Sequence, residues 1–373
     1  MATKKEIDEL LVFIGGFENW PLLNEDCRRE VVKYLDYQSR FKLGICSKND
    51  HDTVEKTKIY VKSITITDVQ KLHYNNKEGF DNVNVLIEFP TGNSFEWIFS
   101  QLEQDTRVQS LGRIHTQRPV VKEFIWKSCD YYEEAVKFAE KWMRKSNFEV
   151  ERIIVGMAKY PFATSQIKML PCCKQVMIRD DNVDSFKWWL KKCPEQLDFL
   201  ELTALFIYRN SLILPSDFLN IPQVMQASNI SFWGLTAFSD EQLLKLKAKS
   251  MQLSSAADVT DNGINKFIRN WVYGKTVDGF KDLHLLATTV RDPDVMLAGL
   301  DDVKKWDEEF ENEQWDFVAE FYRLYSKRCY QVKNKVDRFE SLTLSINGDY
   351  VRIFATGKRA EKNGEAYTYY RIP

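Results

Sequence analysis

Residues 22–35 read LLNEDCRREVVKYL. Leu23, Cys27, Val31 and Leu35 recur every four residues, Val32 and Tyr34 widen the stripe, and Glu25, Asp26, Arg28, Arg29, Glu30 and Lys33 fill the remaining face. That spacing predicts an amphipathic helix. Asn24 stands at its start, where a side-chain oxygen can accept a hydrogen bond from a free N–H of the first turn. Asp36-Tyr37-Gln38-Ser39 breaks the period, Phe41, Leu43, Ile45 and Cys46 predict a second short helix, and the polar run Ser47 to Asp52 closes it. Two or three small helices over residues 20–57 are too few to bury such a stripe, so they must lean on the next domain or on a partner.

Beyond the helices the period changes from about four to two. YVKSITIT (60–67), NVNVLIEF (82–89) and SFEWIF (94–99) are strand-like, with Pro90-Thr91-Gly92-Asn93 as a turn, so residues 58–128 read as an antiparallel β segment. Asp130 with Glu133 opens a helix whose apolar face holds Ala135, Phe138, Ala139, Trp142 and Met143, and EVERIIVGM (149–157) follows as a strand. CKQVMI, LDFLEL, ASNISFW, KSMQL and FKDLHLL then alternate with helical patterns such as DSFKWWLKK, SDEQLLKLKA and NGINKFIRNWV. Ile178, Leu202, Phe232, Leu253 and Leu285 recur at irregular intervals of roughly 20 to 30 residues, near the period of leucine-rich βα repeats. This predicts an open parallel sheet backed by helices, its other face free for a partner. A charged, aromatic helix is expected over Asp301 to Lys327, and then SLTLSI, DYVRIFAT and EAYTYYRI, with Asn347-Gly348 and Asn363-Gly364 beside them, predict a β meander.

The expected class is therefore α+β / α/β: a small helical domain over 15–57, then an α/β domain over 58–373. The latter divides into the antiparallel segment 58–128, a leucine-rich-repeat-like βα region 129–330 and an antiparallel meander 331–373.

Composition excludes several functions. The 373 residues carry 52 Lys plus Arg against 54 Asp plus Glu, a net charge of -2, which offers no field for nucleic acid or an anionic membrane surface. No run approaches the roughly 18 apolar residues of a membrane span, and Glu6, Asp8 and Glu9 spoil any signal-peptide n-region, so a cytoplasmic or nuclear location is expected. The seven cysteines, Cys27, Cys46, Cys129, Cys172, Cys173, Cys193 and Cys329, form no C-x-x-C pair and read as buried intracellular thiols.

Catalytic constellations are missing. His51, His73, His115 and His284 lack metal-ligand spacing, no phosphate-cradling glycine loop or G-x-S-x-G elbow occurs, and Asp180-Asp181 and Asp292-Pro-Asp294 read as caps and turns. Trp188 and Trp189 are neighbours on a helix about 100° apart, so at most one faces solvent. No enzyme, cofactor or metal is expected.

The segment NWPLLNEDCRREVVKYLDYQSRFKLGICSKNDHDTVEKTKI resembles an F-box of the large families expanded in roundworms. Asn19-Trp20, the stripe Cys27, Val31, Val32 and Leu35, Ser39-Arg40-Phe41-x-Leu43 and Cys46-Ser47-Lys48 carry the likeness. Residues 60 onward, with TDNGINKFIRNWVYGK (260–275), resemble the FTH and F-box-associated domains. The resemblance implies the substrate-recognition adaptor of an SCF-type E3 ubiquitin ligase in the Ubl conjugation pathway. Its F-box would dock on a Skp-type adaptor and through it on a cullin, and its C-terminal domain would recruit a protein target. On that reading Leu23, Asn24, Cys27, Val31, Val32, Leu35 and Phe41 lie at the adaptor interface or are shared with the helices' own core. The alternative is a protein-binding or sequestering scaffold, outside ubiquitin ligases, that keeps the F-box-like fold. The family usually has Leu-Pro where this chain has Leu23-Asn24. For the target-binding face, Gln175, Met177, Arg179, Gln252 and His284 are candidates.

Overall fold

The computed structural model describes residues 16–68, 82–113, 120–204, 212–254, 258–286, 290–348 and 350–373. His73 and His115 lie outside them. The chain divides into two compact units, the first made of residues up to Thr65 with Asn82–Arg152 and Thr164–Cys173, the second of Ile66–Asp81, Ile153–Ala163 and Lys174–Pro373.

In the first unit, helices α1 (Glu25–Tyr34), α2 (Tyr37–Gly44) and α3 (Lys48–Lys56) follow one another closely, each opened by a side-chain cap from Asn24, Asp36 and Ser47. Ser47 and the polar residues after it thus start a third helix instead of closing the second: the Ser47 hydroxyl accepts from the Asp50 N–H at 3.1 Å. Strands β1 (Ile59–Thr67), β2 (Asn82–Glu88), β3 (Ser94–Leu102), β4 (Asp105–Arg113) and β5 (Val120–Trp126) follow, then α4 (Tyr131–Met143) and β6 (Phe148–Gly156). The sheet order is β6-β1-β2-β3-β4-β5, with β2 to β5 an antiparallel meander. The period-two runs mark β1 to β3; β4 and β5 carry mixed polar and apolar positions and fall inside the antiparallel segment expected over 58–128 without a strand pattern of their own. Gly92, with φ +80°, makes the β2–β3 turn.

An aromatic cluster joins the helices to this sheet. Tyr37, at the start of α2, stacks on Phe89 at 5.4 Å, meets Trp142 of α4 at 5.3 Å and touches Phe95 at 5.8 Å. Trp97 and Phe138 extend the cluster, their ring centroids 4.7 Å apart. The Ile59 N–H also donates to the Asn147 carbonyl at 2.8 Å. The small helices lean on the next segment of chain, as their size demands.

The second unit runs β7 (Cys173–Arg179), α5 (Val183–Leu190), β8 (Phe199–Thr203), β9 (Ile213–Leu214), α6 (Pro222–Gln226), β10 (Asn229–Trp233), β11 (Leu235–Thr236), α7 (Asp240–Lys245), β12 (Ser250–Leu253), α8 (Asp261–Val272) and β13 (Asp282–Leu286). Strands β7-β8-β10-β12-β13 are neighbours in that order and all parallel. Each strand is added on the same side of the last, so right-handed crossovers put their helices on one face. Val176, Ile178, Leu200, Leu202, Ile230, Phe232, Met251, Leu253, Leu283 and Leu285 are buried on that face. On the helix α5, Trp189 is fully buried and Trp188 half-buried, the division expected for adjacent residues.

Next come α9 (Pro293–Met296), β14 (Val303–Lys305), α10 (Glu308–Glu313), α11 (Trp315–Leu324), β15 (Cys329–Lys333), β16 (Ser341–Asn347), β17 (Tyr350–Lys362) and β18 (Glu365–Tyr370). The single helix expected over Asp301 to Lys327 is instead a strand and two helices. Asp302 takes a left-handed φ of 61°, which a helix cannot continue through, and Gln314, with φ -117° and ψ 34°, separates α10 from α11. Trp306, Phe310, Phe317 and Phe321 pack there with Cys329 and Phe354. Strands β15 to β18 form the expected antiparallel meander, with β17 also antiparallel to β13. Asn363 and Gly364 both have positive φ and make a two-residue hairpin turn, whereas Asn347 still belongs to β16 and Gly348, with φ +57°, follows its end.

The cysteine reading needs correction. Cys173, Cys193 and Cys329 are buried, but Cys27, Cys46 and Cys172 are exposed and Cys129 is half-buried. Cys27 sits on α1 and Cys46 in the turn between α2 and α3, a module too small to cover them.

Tyr37→Ala should open the aromatic cluster. We expect a loss of about 3 kcal/mol, the low end for truncating a large aromatic, in urea unfolding followed by tryptophan fluorescence.

Candidate docking site

The start of α1 is fixed from two directions. Trp20 is buried and its Nε1 donates to Asp50 Oδ1 at 2.7 Å, while Asp50 Oδ2 accepts from the Ser47 hydroxyl at 2.6 Å. The chain entering α1 is thereby tied to the cap of α3. Asn24 has φ -67° and ψ 165°, and its Oδ1 accepts from the Cys27 N–H at 2.8 Å. It is a working N-cap in a backbone conformation that proline itself would impose.

Arg40 holds the other ends of the helices. Only 5% exposed, it donates from Nε to the Leu35 carbonyl at 3.1 Å, from Nη2 to Lys33 at 3.1 Å, and from Nη1 to Lys58 at 2.9 Å and Thr57 at 3.5 Å. All these acceptors are backbone carbonyls at or just past the C-termini of α1 and α3, where unpaired oxygens and the negative end of the helix dipole collect. Burial pushes the guanidinium down to about 10, so it remains cationic at neutral pH. One side chain in the middle of α2 therefore binds the ends of both neighbours. Sequence reading found Arg40 only as part of a family pattern; an arginine among short helices gives no sign of which carbonyls it will meet.

The residues expected at a docking surface separate into two sets. Val31 and Val32 are buried in the helices' own core with Trp20, Leu43 and Val54, and Leu23 and Leu35 pack against that core, half-buried. Asn24, Cys27 and Phe41 are exposed, Phe41 at 61%. Leu22 at 81% and Ile45 at 70% stand exposed beside them in sequence, and both were missed. Phe41 lies in α2 and Ile45 is its C-cap, still near helical backbone dihedrals, so the two, four residues apart, share a face. Some of the charges around them are paired: Arg29 with Glu25 at 2.6 Å and Lys56 with Glu25 at 3.1 Å. Hydrogen bonds from Lys56 and then Arg29 hold the Glu25 carboxyl below its ordinary range.

A second surface lies on the parallel sheet, on the face opposite its crossovers. Register places Met177, Glu201, Ser231, Gln252, His284 and Arg352 in one row across β7, β8, β10, β12, β13 and β17. Gln175, Met177, Arg179, Gln252 and His284 are all half-buried there. The row ends at an aromatic wall, where Arg352 lies over Tyr325 at 5.1 Å and over Tyr350 at 4.7 Å, and His284 meets Phe354 at 5.1 Å. Burial, and then the Arg352 charge, push His284 down to about 4, so it is a neutral ring at physiological pH. Asp180 and Asp292 act as turn and cap acceptors, Asp180 taking the Asn182 N–H at 3.0 Å and Asp292 the Asp294 N–H at 2.9 Å. Among the described residues no cluster of three His, Cys, Asp or Glu is arranged to hold a metal.

Comparison with known proteins agrees with the helical geometry. The F-box domain model matches residues 20–62, which span the capped helices and the start of β1. A Caenorhabditis elegans chain described as "Uncharacterized F-box protein T20B12.4" is 39% identical over 377 residues, covering 100% of this chain and 97% of that one. This chain belongs to the F-box protein family, in the roundworm type. No solved structure matches it. Proteins of this family are adaptors rather than enzymes.

Three substitutions test the helix connections. Arg40→Met removes the donors to the helix-end carbonyls and should cost about 2 to 3 kcal/mol in chemical denaturation. Asn24→Ala should cost about 1 kcal/mol, whereas Asn24→Pro, which suits the native φ and restricts the unfolded chain, should stay within about 0.5 kcal/mol of wild type.

Proposed function

We propose that the protein is the target-recognition subunit of an SCF-type ubiquitin ligase. Residues 15–57 dock on a Skp-type adaptor bound to a cullin, and residues 58–373 bind the protein to be modified. The supporting observation is the division of the helical stripe. Val31, Val32 and Leu43 fill an internal core that sets the helices, and Leu22, Cys27, Phe41 and Ile45 remain exposed with no partner residue covering them fully. Exposed leucine, phenylalanine and isoleucine on one small helical module fit a protein groove, since apolar side chains at this density favour burial against a partner. Asn24 does the helix-starting work of the missing proline, so docking survives the Leu-Asn variation.

For the target, the open face of the βα stack supplies a row of polar and aromatic side chains on rigid strands. Met177, Glu201 and Gln252 are its central members, with Arg352 and Tyr325 at its edge. The chemistry is recognition alone; ubiquitin transfer belongs to the other subunits of the ligase.

Co-purification with a Skp-type adaptor tests the docking half. Wild type and Asn24→Pro should retain the adaptor equally, and Phe41→Asp with Ile45→Asp should lower retention at least about ten-fold while leaving the fold intact by circular dichroism. Adaptor capture that is absent in wild type, or unchanged in the double variant, would refute it.

A further inference from the structure

A cavity of about 470 Å³ opens in the first unit, next to the residue that follows α3. Lys58, Arg144, Lys145 and Lys168 line it, and no acidic side chain does. This concentration of positive charge occurs in a chain whose net charge is -2, so it is a local feature.

The cations are held mostly by neutral groups. Arg144 caps α4, and its Nε donates to the Glu140 carbonyl at 3.3 Å, which leaves the terminal nitrogens of the guanidinium unused by that bond. Lys145 Nζ sits 5.5 Å from the ring centres of both Trp142 and Phe148. Among the described residues no carboxylate lies within ion-pair distance of Arg144, Lys145 or Lys168; Lys58 alone has one, Glu149 at 3.7 Å. A carbonyl and two aromatic faces orient charge without neutralising it. Phe148, Pro171 and Met169 supply an apolar lining, and Met169 is 57% exposed, an adaptable thioether side chain with room to cover a ligand.

We propose that this cavity binds an acidic peptide segment of a partner protein, carboxylates meeting Arg144 and Lys168 and a neighbouring apolar side chain resting on Met169 and Pro171. The complementarity is of charge and of shape. Isolated anions would leave the apolar lining unused, and a nucleic-acid backbone needs a continuous basic track, whereas this cavity is bounded. A short peptide with alternating Glu and Leu satisfies both parts. The site is distinct from the exposed helical surface proposed to dock the adaptor and does not rest on that reading.

Fluorescence anisotropy with the full chain tests it, using a labelled ten-residue peptide of alternating Glu and Leu, the same peptide with Gln for Glu, and a Gln peptide bearing one phosphoserine. The Glu peptide should bind, weaken with added salt and lose at least about ten-fold in Arg144→Glu with Lys168→Glu; the Gln peptide should not bind. Both positions are exposed, and retained circular dichroism together with unchanged adaptor capture in that variant separates this site from the docking one. Lys333→Glu with Lys362→Glu, exposed positions elsewhere, should leave peptide binding unchanged. Equal binding by wild type and the Arg144/Lys168 variant, no binding by wild type, or a phosphopeptide that binds ten-fold more tightly than the Glu peptide would each overturn the assignment.

Discussion

Helices of ten, eight and nine residues cannot form a self-sufficient core, and the structure of the first unit follows from how that shortage is met. Helix α2 carries the solution on neighbouring residues. Tyr37 enters the aromatic cluster of β3 and α4, and Arg40, about one turn on, binds the carbonyl ends of α1 and α3. A buried guanidinium is costly to desolvate, but backbone carbonyls at two helix ends are an oriented set of acceptors that need donors in any case. The same contacts that complete the small core fix which of its side chains point outward.

That division bears directly on recognition. A docking element made only of residues that its own fold requires would have nothing left to offer a partner. Here Val32 is fully enclosed while Leu22, Phe41 and Ile45 remain in water, so the internal core and the proposed docking surface use different side chains of the same short segment. Some of the charged residues between them are engaged with one another, Glu25 with Arg29 and Glu30 with Lys33. In the second unit the division is enforced by strand alternation: one set of side chains meets the helices and the next set faces away. Parallel strands laid down in sequential order make that outward set continuous over five strands.

Much of this was legible from residue spacing. The four-residue stripe of α1, the period-two runs of β1 to β3 and the recurring βα runs each reflect a single dominant periodicity, and each became the expected element. Capping residues were equally clear, because a cap is a local bargain between a side chain and the next few N–H groups; Asn24 and Asp130 both kept it. Where local and distant demands conflicted, the reading failed. Asp301 to Lys327 has helical composition, yet Val303–Lys305 pairs with β15 and Trp306 is drawn into an aromatic core that no local pattern announces. Polar Ser47 to Asp52 looked like a terminator, and Trp20, 30 residues away, is what gives Asp50 a buried role.

The amino-acid sequence determined the class of fold, the starts of α1 and α4, the family and the lack of catalytic motifs, since these rest on periodicity, on local hydrogen bonding and on residue types at fixed spacing. Tertiary structure alone decided which stripe residues are core and which are surface, what Arg40 holds, and that Lys58, Arg144, Lys145 and Lys168 share one cavity. Those outcomes depend on segments far apart in the chain meeting in space, and a helix or strand pattern specifies its own faces without naming what will lie against them.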